Sequence, residues 1–359
     1  MKKSILITAL ASATALGLAA CGQAPEEDND SGDGAAQSDY HACLISDSGG
    51  WDDQSFNQSA MNGLKMAVDK LGIEDSASES ESDSDYVPNV QAMVQENCDL
   101  IIGVGFNLES ALHDAADSNP DVNFGLVDAT FTDEDNNPVQ LDNAKPLVFN
   151  TAEASYLAGY EAAGMTETGV VATFGGQQIP SVSIFMDGFA DGVDKYNEEN
   201  DADVKLLGWD KDSQDGAFTG DFEDQSQGQA LTKQFIAQDA DIIMPVAGPV
   251  GLGAAAAAAD AGDVWIVGVD DDWTESTEYG DIVLASVVKG IDEAVFDTIK
   301  QAAEGNFTSD DYIGTLENGG VELAPSDAAD VPEELQSEVD NLKEQIISGD
   351  IEVETPNAP

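Results

Sequence analysis

The chain has 359 residues and a formal net charge of −59, from 71 acidic and 12 basic residues, and every basic residue is a lysine. This balance excludes nucleic-acid binding, which needs a basic surface to neutralise phosphates. It also argues against phosphate-bearing ligands, because arginine forks are their usual partners. The length suits two lobes of ordinary domain size.

The N-terminus has the pattern of a bacterial lipoprotein signal. Two lysines precede an apolar stretch from Ile5 to Leu18, and small residues stand directly before Cys21. We therefore predict a signal peptide over 1–20, a palmitate-type lipid on Cys21, and an acidic, flexible tether over 21–39. The alternative is an ordinary signal peptide with an incidental cysteine. No other segment reaches the ~18 consecutive apolar residues of a spanning helix, so contact with the membrane is expected through the lipid only.

From residue 41 onward, short apolar runs alternate with amphipathic stretches, which predicts parallel sheets built from βαβ units. The first helix is predicted to begin at Ser55, where Ser55 and Gln58 have the spacing of a capping box. Strands are predicted near 42–46, 100–104, 123–127, 147–150, 169–174, 204–208, 241–246, 264–269 and 282–288. Further helices are predicted near 86–97, 108–118, 153–165, 181–196, 226–237, 250–261, 290–303 and 332–348.

The alternation restarts near residue 147, which indicates a second lobe. The strand at 282–288 comes late enough to return to the first lobe. We predict a first α/β lobe over 40–147 plus about 286–310, and a second over 148–285 plus about 311–359. Two such lobes with more than one crossover form a hinged cleft, and ligands of open α/β sheets bind outside the carboxyl ends of the strands.

Two cysteines follow the lipidation site. Cys43 opens the first strand and Cys98 precedes the next one, and these strands are expected to be neighbours. The pair forms either a disulfide, which persists in an exported protein, or two buried thiols. A short run of aspartates within the tether lacks the closing glutamate of a calcium loop, so no metal site and no cofactor are predicted.

The predicted strand ends carry carboxylates and aromatic rings. Aromatic faces stack on planar rings, and carboxylates accept hydrogen bonds from vicinal hydroxyls or ring N–H groups, which suits a sugar or a nucleoside. Taken singly, each aspartate is also explained as a helix cap or a solvated loop residue, and Phe56 as a core-facing residue. The glycine-rich loop at 248–253 lacks the Gly-Lys-Ser/Thr ending of a phosphate loop, so we interpret it as backbone that approaches a neutral ligand.

A family resemblance runs in order through nearly the whole chain after the tether. The segment Asp47–Asn57 resembles the entry motif of the basic membrane protein family, the PnrA-like purine nucleoside-binding lipoproteins of ABC importers. The similarity continues through Ile101–Phe106, Phe124–Asp128, Ala154–Gly159, Phe174–Gly176, Gly188–Phe189, Asp241–Ile243, Gly248–Gly253, Gly268–Asp270 and Ser286–Lys289. It implies a two-lobed, type I periplasmic-binding-protein-like fold that closes over a nucleoside.

The resemblance also implies a role for each site residue. Two aromatic rings would stack on the base, namely Phe56 and Phe222. Polar groups would contact the base edge and the ribose, with one glycine in the wall: Asn57 and Asp128 at the base, Asp47, Asp270 and Lys289 at the ribose, and Gly248 in the wall.

The chain departs from the family pattern at Trp51 and in an enlarged stretch over 208–225. Trp51, Trp209 or Phe218 is therefore an alternative stacking residue.

We predict a monomeric, extracytoplasmic binding protein that delivers a nucleoside to an ABC permease complex without covalent chemistry. One alternative is a receptor for a sugar or another small molecule on the same architecture. A nucleoside-cleaving enzyme is a second alternative, weakened because His41 and His113 are the two histidines and neither is beside a plausible nucleophile. A surface sensor or adhesin that retains the fold is a third.

Overall fold

The computed structural model describes residues 38–133, 135 and 137–359. The predicted signal peptide, Cys21 and all but the last two residues of the tether lie outside this part of the chain. Among the helices that the structure describes, none is both long enough and apolar enough to cross a membrane.

The secondary structure follows the predicted alternation, with additional short strands. The strands are β1 His41–Ser46, β2 Glu74–Ser78, β3 Leu100–Val104, β4 Asn123–Val127, β5 Ala144–Phe149, β6 Val170–Gly175, β7 Lys205–Leu207, β8 Trp209–Asp210, β9 Asp215–Gly216, β10 Ile242–Val246, β11 Trp265–Asp270, β12 Val283–Lys289, β13 Tyr312–Gly314 and β14 Val321–Pro325. The helices are α1 Phe56–Leu71, α2 Asp83–Gln95, α3 Glu109–Ser118, α4 Thr151–Met165, α5 Pro180–Asn200, α6 Gln225–Ile236, α7 Pro249–Ala261, α8 Trp273–Ser276, α9 Ile291–Ala303 and α10 Glu333–Ser348.

Each lobe is built on one six-stranded sheet. The first sheet has the order β13-β5-β4-β3-β1-β2 and is parallel throughout. The second has the order β14-β12-β11-β10-β6-β7, with only the edge strand β14 antiparallel to its neighbour. The strands of both sheets are mostly buried apolar runs, as expected where helices cover both faces of a parallel sheet.

The chain crosses between the lobes after β5, after β12 and after β13, and two of these crossovers correct the predicted boundaries. β12 was expected to return to the first lobe, but it pairs with β11 in the second sheet. β13 was expected in the second lobe, but it pairs with β5 in the first. Helix α9, between them, packs on α1 of the first lobe. A buried apolar strand has the same sequence pattern in either sheet, so only its pairing partner decides the lobe.

Helix α4 begins the second lobe and is buried on nearly every side. It packs closely on α5 because Gly159 lies against the Phe189 carbonyl, and Gly188 against that of Ala152, where added Cβ atoms would overlap backbone atoms. Helix α10, which could not be placed from the sequence, also packs on α4. The close packing on all sides explains the alanine- and glycine-rich sequence of α4.

Glu161 is a buried carboxylate on α4, 2% exposed, and no described residue donates a hydrogen bond to it. Burial, with a smaller effect of Asp340, raises the pKa of Glu161 to about 7. Because the folded pKa exceeds the unfolded one, its contribution to stability is full below the unfolded value near pH 4.5 and is lost as the pH rises through 7.

Glu161→Gln is therefore expected to raise the free energy of unfolding by roughly 3 kcal/mol at pH 8, and by far less at pH 5. Urea unfolding at the two pH values measures this. Glu167→Gln removes the same charge at an exposed site just beyond α4 and is the control. An equal gain at both pH values would contradict the prediction.

The structure joins Cys43 and Cys98 by a disulfide, with their Cα atoms 6.0 Å apart. Cys43 lies in β1, and Cys98 lies just before β3, its parallel neighbour. The bond therefore joins β1 to the segment that leads into the adjacent strand β3, and it closes a long loop that contains α1, β2 and α2.

Candidate functional site

A cleft lies between the lobes, where the carboxyl ends of both sheets face each other. It contains about 610 Å³ of space, part of it open to solvent. The structure brings all the residues of the main predicted set into its lining: Asp47, Phe56, Asn57, Asp128, Phe222, Gly248, Asp270 and Lys289. Their roles in binding stay predictions.

Lys289 ends β12 in the second lobe and forms the charged centre of the cleft. Its side chain is 3% exposed, and its Nζ pairs with a carboxylate oxygen of Asp128 and, at 3.1 Å, with one of Asp270. Asp128 belongs to the first lobe, so one of these ion pairs crosses the cleft. Burial lowers the pKa of Lys289, but the two carboxylates outweigh it and hold that pKa above its usual value. The lysine is thus charged, and it lies between two acidic side chains.

Asp128 and Asp270 share an unusual backbone conformation, with φ of 68° and 70°. Aspartate is among the few non-glycine residues that tolerate this left-handed region. Each stands at the end of a buried strand, β4 or β11 respectively, so the chain turns sharply there. Burial also raises the pKa of Asp128 against the opposing effect of Lys289. Strained backbone and buried charge in one cluster are typical of functional sites.

A second polar cluster lies at the start of α1 in the first lobe. Asn57 Nδ2 donates to Asp47 at 2.8 Å and to Asp53 at 3.3 Å. Asp53 also accepts from the backbone N–H groups of Ser55, Asn57 and Gln58 at 2.8 to 3.1 Å. Burial nevertheless raises the pKa of Asp53 to about 6, and it raises the pKa of Asp47 as well.

Asp53 therefore caps α1, and the predicted capping box at Ser55 is wrong. The Ser55 side chain makes no capping bond. Its Oγ donates instead to the Val269 carbonyl of the second lobe, at 3.1 Å. Sequence spacing could not reveal this, because a serine at a helix start satisfies the motif whichever way its hydroxyl turns.

Asn57 has a free acceptor. The residue is 2% exposed and lines the cleft, yet its Oδ1 has no hydrogen-bond partner among the residues that the structure describes. An unmet buried acceptor costs roughly 1–3 kcal/mol, so a site that retains one is suited to a ligand N–H or O–H.

Aromatic rings line both sides of the cleft. Phe56 lies on the first lobe, 5.3 Å from Lys289 Nζ to its ring centre, and Phe222 lies on the second lobe against Gly176. Phe185 of α5, which the sequence analysis did not select, lies 4.9 Å from Lys289 Nζ, and Phe106 lines the cleft while 45% exposed.

In the described part of the chain, the three alternative aromatics lie outside the cleft lining. The backbone of Trp51 bonds to Glu79. Trp209 is buried, and its ring packs edge-to-face on Phe218 at 5.9 Å.

The site residues that the sequence analysis did not select had a weak signal. Asp53 occurs in the entry loop with two other aspartates, Asp47 and Asp52, and nothing in the sequence distinguishes it as a cap. Phe185 lies one turn into α5, beyond the strand end where site residues were sought. A search that included the first turns of each following helix would have found Phe185.

The family model described as "ABC transporter substrate-binding protein PnrA-like" matches residues 42–356. The ABC transporter nucleoside-binding protein BmpA of Lactococcus lactis is 29% identical, covering 98% of this chain and 99% of the relative. A CD4+ T-cell-stimulating antigen of Listeria innocua is 30% identical over the same shares. Basic membrane protein A of Borreliella burgdorferi is 28% identical, covering 89% of this chain and 90% of the relative.

Solved structures agree on the fold. An ABC transporter solute-binding protein from Aeropyrum pernix superposes with a TM-score of 0.75 at 24% identity, covering 88% of this chain and 94% of the other. An ABC transporter solute-binding protein from Conexibacter woesei superposes with a TM-score of 0.66 at 22% identity, covering 89% of this chain and 99% of the other. The predicted type I periplasmic-binding-protein-like fold is confirmed.

Proposed function

Since the chain belongs to the Bmp family of PnrA-like ABC transporter substrate-binding proteins, we propose that it binds a nucleoside, with a purine base preferred, between its lobes. The observation that carries this proposal is the free, buried Oδ1 of Asn57 in a cleft that has a phenylalanine on each lobe. A planar base with ring N–H groups satisfies both features at once.

We assign the faces of the base to Phe56 and Phe222, and its edge to Asn57 and Asp128. We assign the ribose hydroxyls to Asp47, Asp270 and Lys289, and Gly248 to the wall of the cleft. The acidic side chains that surround Lys289 favour a ligand that donates hydrogen bonds and disfavour a phosphorylated one. This supports a nucleoside rather than a nucleotide.

Titration calorimetry with inosine, guanosine, adenosine, uridine and ribose tests the assignment. Purine nucleosides are expected to bind with a Kd of about 1 μM or tighter, and ribose not measurably. Tight binding of ribose with no nucleoside binding would establish the sugar receptor instead. Uridine binding as tightly as inosine would remove the purine preference, and free base after long incubation would indicate an enzyme.

Phe222→Ala is expected to weaken nucleoside binding roughly 5- to 150-fold, because stacking on an aromatic ring contributes about 1–3 kcal/mol per base. The same calorimetric titration measures the loss. Phe296→Ala is the matched control, since Phe296 is a partly buried phenylalanine of α9 that lies outside the cleft lining. Equal affinity of the Phe222 variant and the wild type would exclude the proposed stacking.

We further propose that a lipid on Cys21 anchors a monomer outside the cell, where the closed form meets its permease complex. Family members are extracytoplasmic binding proteins that pair with such complexes, and domain closure around a ligand is how this fold signals occupancy. In a bacterial host, Cys21→Ala is expected to move the protein from the membrane to the soluble extracytoplasmic fraction. Wild-type protein in that fraction would contradict the anchor, and a dimer mass by light scattering would contradict the monomer.

A further inference from the structure

Asp187 of α5 is a fully buried carboxylate outside the cleft, and the proposed function does not use it. Four side-chain donors surround it, two for each oxygen, and no cation of the described residues pairs with it. Burial of a charge costs free energy unless hydrogen bonds satisfy it. Because this carboxylate is held only by neutral donors of the described residues, the loss of any one of them should destabilise the junction.

The donors come from two segments that are distant in the sequence. Oδ1 accepts from Trp209 Nε1 at 2.9 Å and from Gln214 Nε2 at 2.8 Å, both in the arm formed by residues 208–222. Oδ2 accepts from Thr355 Oγ1 at 2.5 Å and from Asn357 Nδ2 at 2.8 Å, both in the C-terminal tail formed by residues 351–359. Asn357 Nδ2 also donates to Gln214 Oε1 at 2.8 Å. Asp187 thus joins the tail to the arm.

A second connection strengthens this junction. Lys211 of the arm donates from Nζ to the Glu354 carbonyl of the tail and to Asp191 of α5, each at 2.6 Å. The tail is therefore held to the arm by backbone and side-chain contacts, and α5 supports both.

The arm continues from this junction to the cleft. Trp209 packs edge-to-face on Phe218, which lies against Gly175 at the end of β6. The backbone N–H groups of Thr219 and Gly220 then donate to the carbonyls of Gly175 and Gly176, at 3.0 and 2.7 Å. Two residues later the arm places Phe222 over Gly176, in the lining of the cleft.

We propose that Asp187 is a positioning residue and that the C-terminal tail completes the nucleoside site by fixing the arm that carries Phe222. The inference rests on the proposed function for the identity of the ligand. The contacts that join the tail to the arm do not depend on that function. The tail touches no residue of the cleft lining through these bonds, so it acts through the arm. Its effect on affinity should therefore require the Phe222 ring.

The test is a double-mutant cycle. Thr355→Val combined with Asn357→Leu removes the donors to Oδ2 and leaves Trp209 and Gln214 on Oδ1. This tail variant is expected to bind inosine roughly tenfold more weakly in the wild-type background, but less than twofold more weakly in the Phe222→Ala background. Equal losses in both backgrounds, or no loss in the wild type, would overturn the proposal. Glu352→Ala, an exposed change in the same tail, is the control.

Hydrogen exchange without ligand separates this inference from the proposed function. The amides of Thr219 and Gly220 are expected to exchange at least fivefold faster in the tail variant, while amides of β10 keep their protection. Unchanged exchange at Thr219 and Gly220 would overturn the positioning role whatever the ligand is. Faster exchange in a protein that binds no nucleoside would leave the link intact and overturn only the nucleoside assignment.

Discussion

Lys289→Met is expected to lower the free energy of unfolding by roughly 3–5 kcal/mol at pH 7 and to abolish nucleoside binding. Methionine fills much of the lysine volume, so the loss comes from charge rather than from a cavity. The substitution leaves Asp128 of the first lobe and Asp270 of the second lobe buried beside each other without their cation. Their repulsion therefore acts directly across the cleft and opposes its closure.

Urea unfolding measures the loss, with Lys145→Met as the matched control. Lys145 is also buried, 8% exposed, but within the described part of the chain its Nζ donates hydrogen bonds only to the Thr308 carbonyl and hydroxyl. Burial lowers the pKa of Lys145, so its charged form is disfavoured and methionine should be tolerated.

The Lys289 variant should also show a distinct pH dependence. Without the cation, the raised pKa of Asp128 favours a bound proton in the folded state, so the deficit should shrink as the pH falls toward 5. Adding Asp128→Asn and Asp270→Asn should restore part of the stability at pH 7 without restoring binding. A Lys289 variant as stable as the Lys145 variant would contradict the buried triad.

Removing the disulfide through Cys43→Ala with Cys98→Ala is expected to cost roughly 4 kcal/mol of unfolding free energy. The two cysteines are 55 residues apart in sequence, and closing a loop of that length restricts the unfolded chain strongly. Alanine avoids leaving two buried thiols, which would add an unrelated packing effect.

Reductant provides the internal control for this prediction. Wild-type protein should lose a similar amount of stability in excess reductant, whereas the double alanine variant should not respond. The same urea midpoint with and without reductant in the wild type would contradict a structural disulfide. Because the bond lies in the first sheet, away from the cleft, nucleoside affinity should change little at temperatures where the variant is folded.

The elements that the sequence predicted well are those with one dominant signal. Apolar runs such as Leu100–Val104 and Ile242–Val246 could only be buried strands, and both occur where expected. The strand Glu74–Ser78 was not predicted because it is polar and largely exposed at a sheet edge, where pairing alone supports it. The short strands near 312 and 321 also lie at sheet edges.

The candidate site also contains residues that the sequence could identify and residues that it could not. The aspartates at strand ends could be found because parallel strands bring their carboxyl ends to one edge. Three aromatic residues in one enlarged segment, Trp209, Phe218 and Phe222, could not be ranked from the sequence. Burial decided among them, because Asp187 holds the Trp209 indole in the interior and only Phe222 reaches the cleft.

By itself the sequence determined the two-lobed α/β class and the order of most elements, because hydrophobic periodicity is a local property, and its family resemblance implied the main set of cleft residues. The tertiary structure decided which sheet β12 and β13 join, that Asp53 rather than Ser55 caps α1, and that Lys289 links carboxylates from both lobes. The strand pairings and the Lys289 ion pairs depend on partners far away in the chain, and the Ser55 hydroxyl bonds to the distant Val269 carbonyl instead of capping α1. Pairing energies between distant residues leave no fixed spacing in the sequence, so only the folded chain shows them.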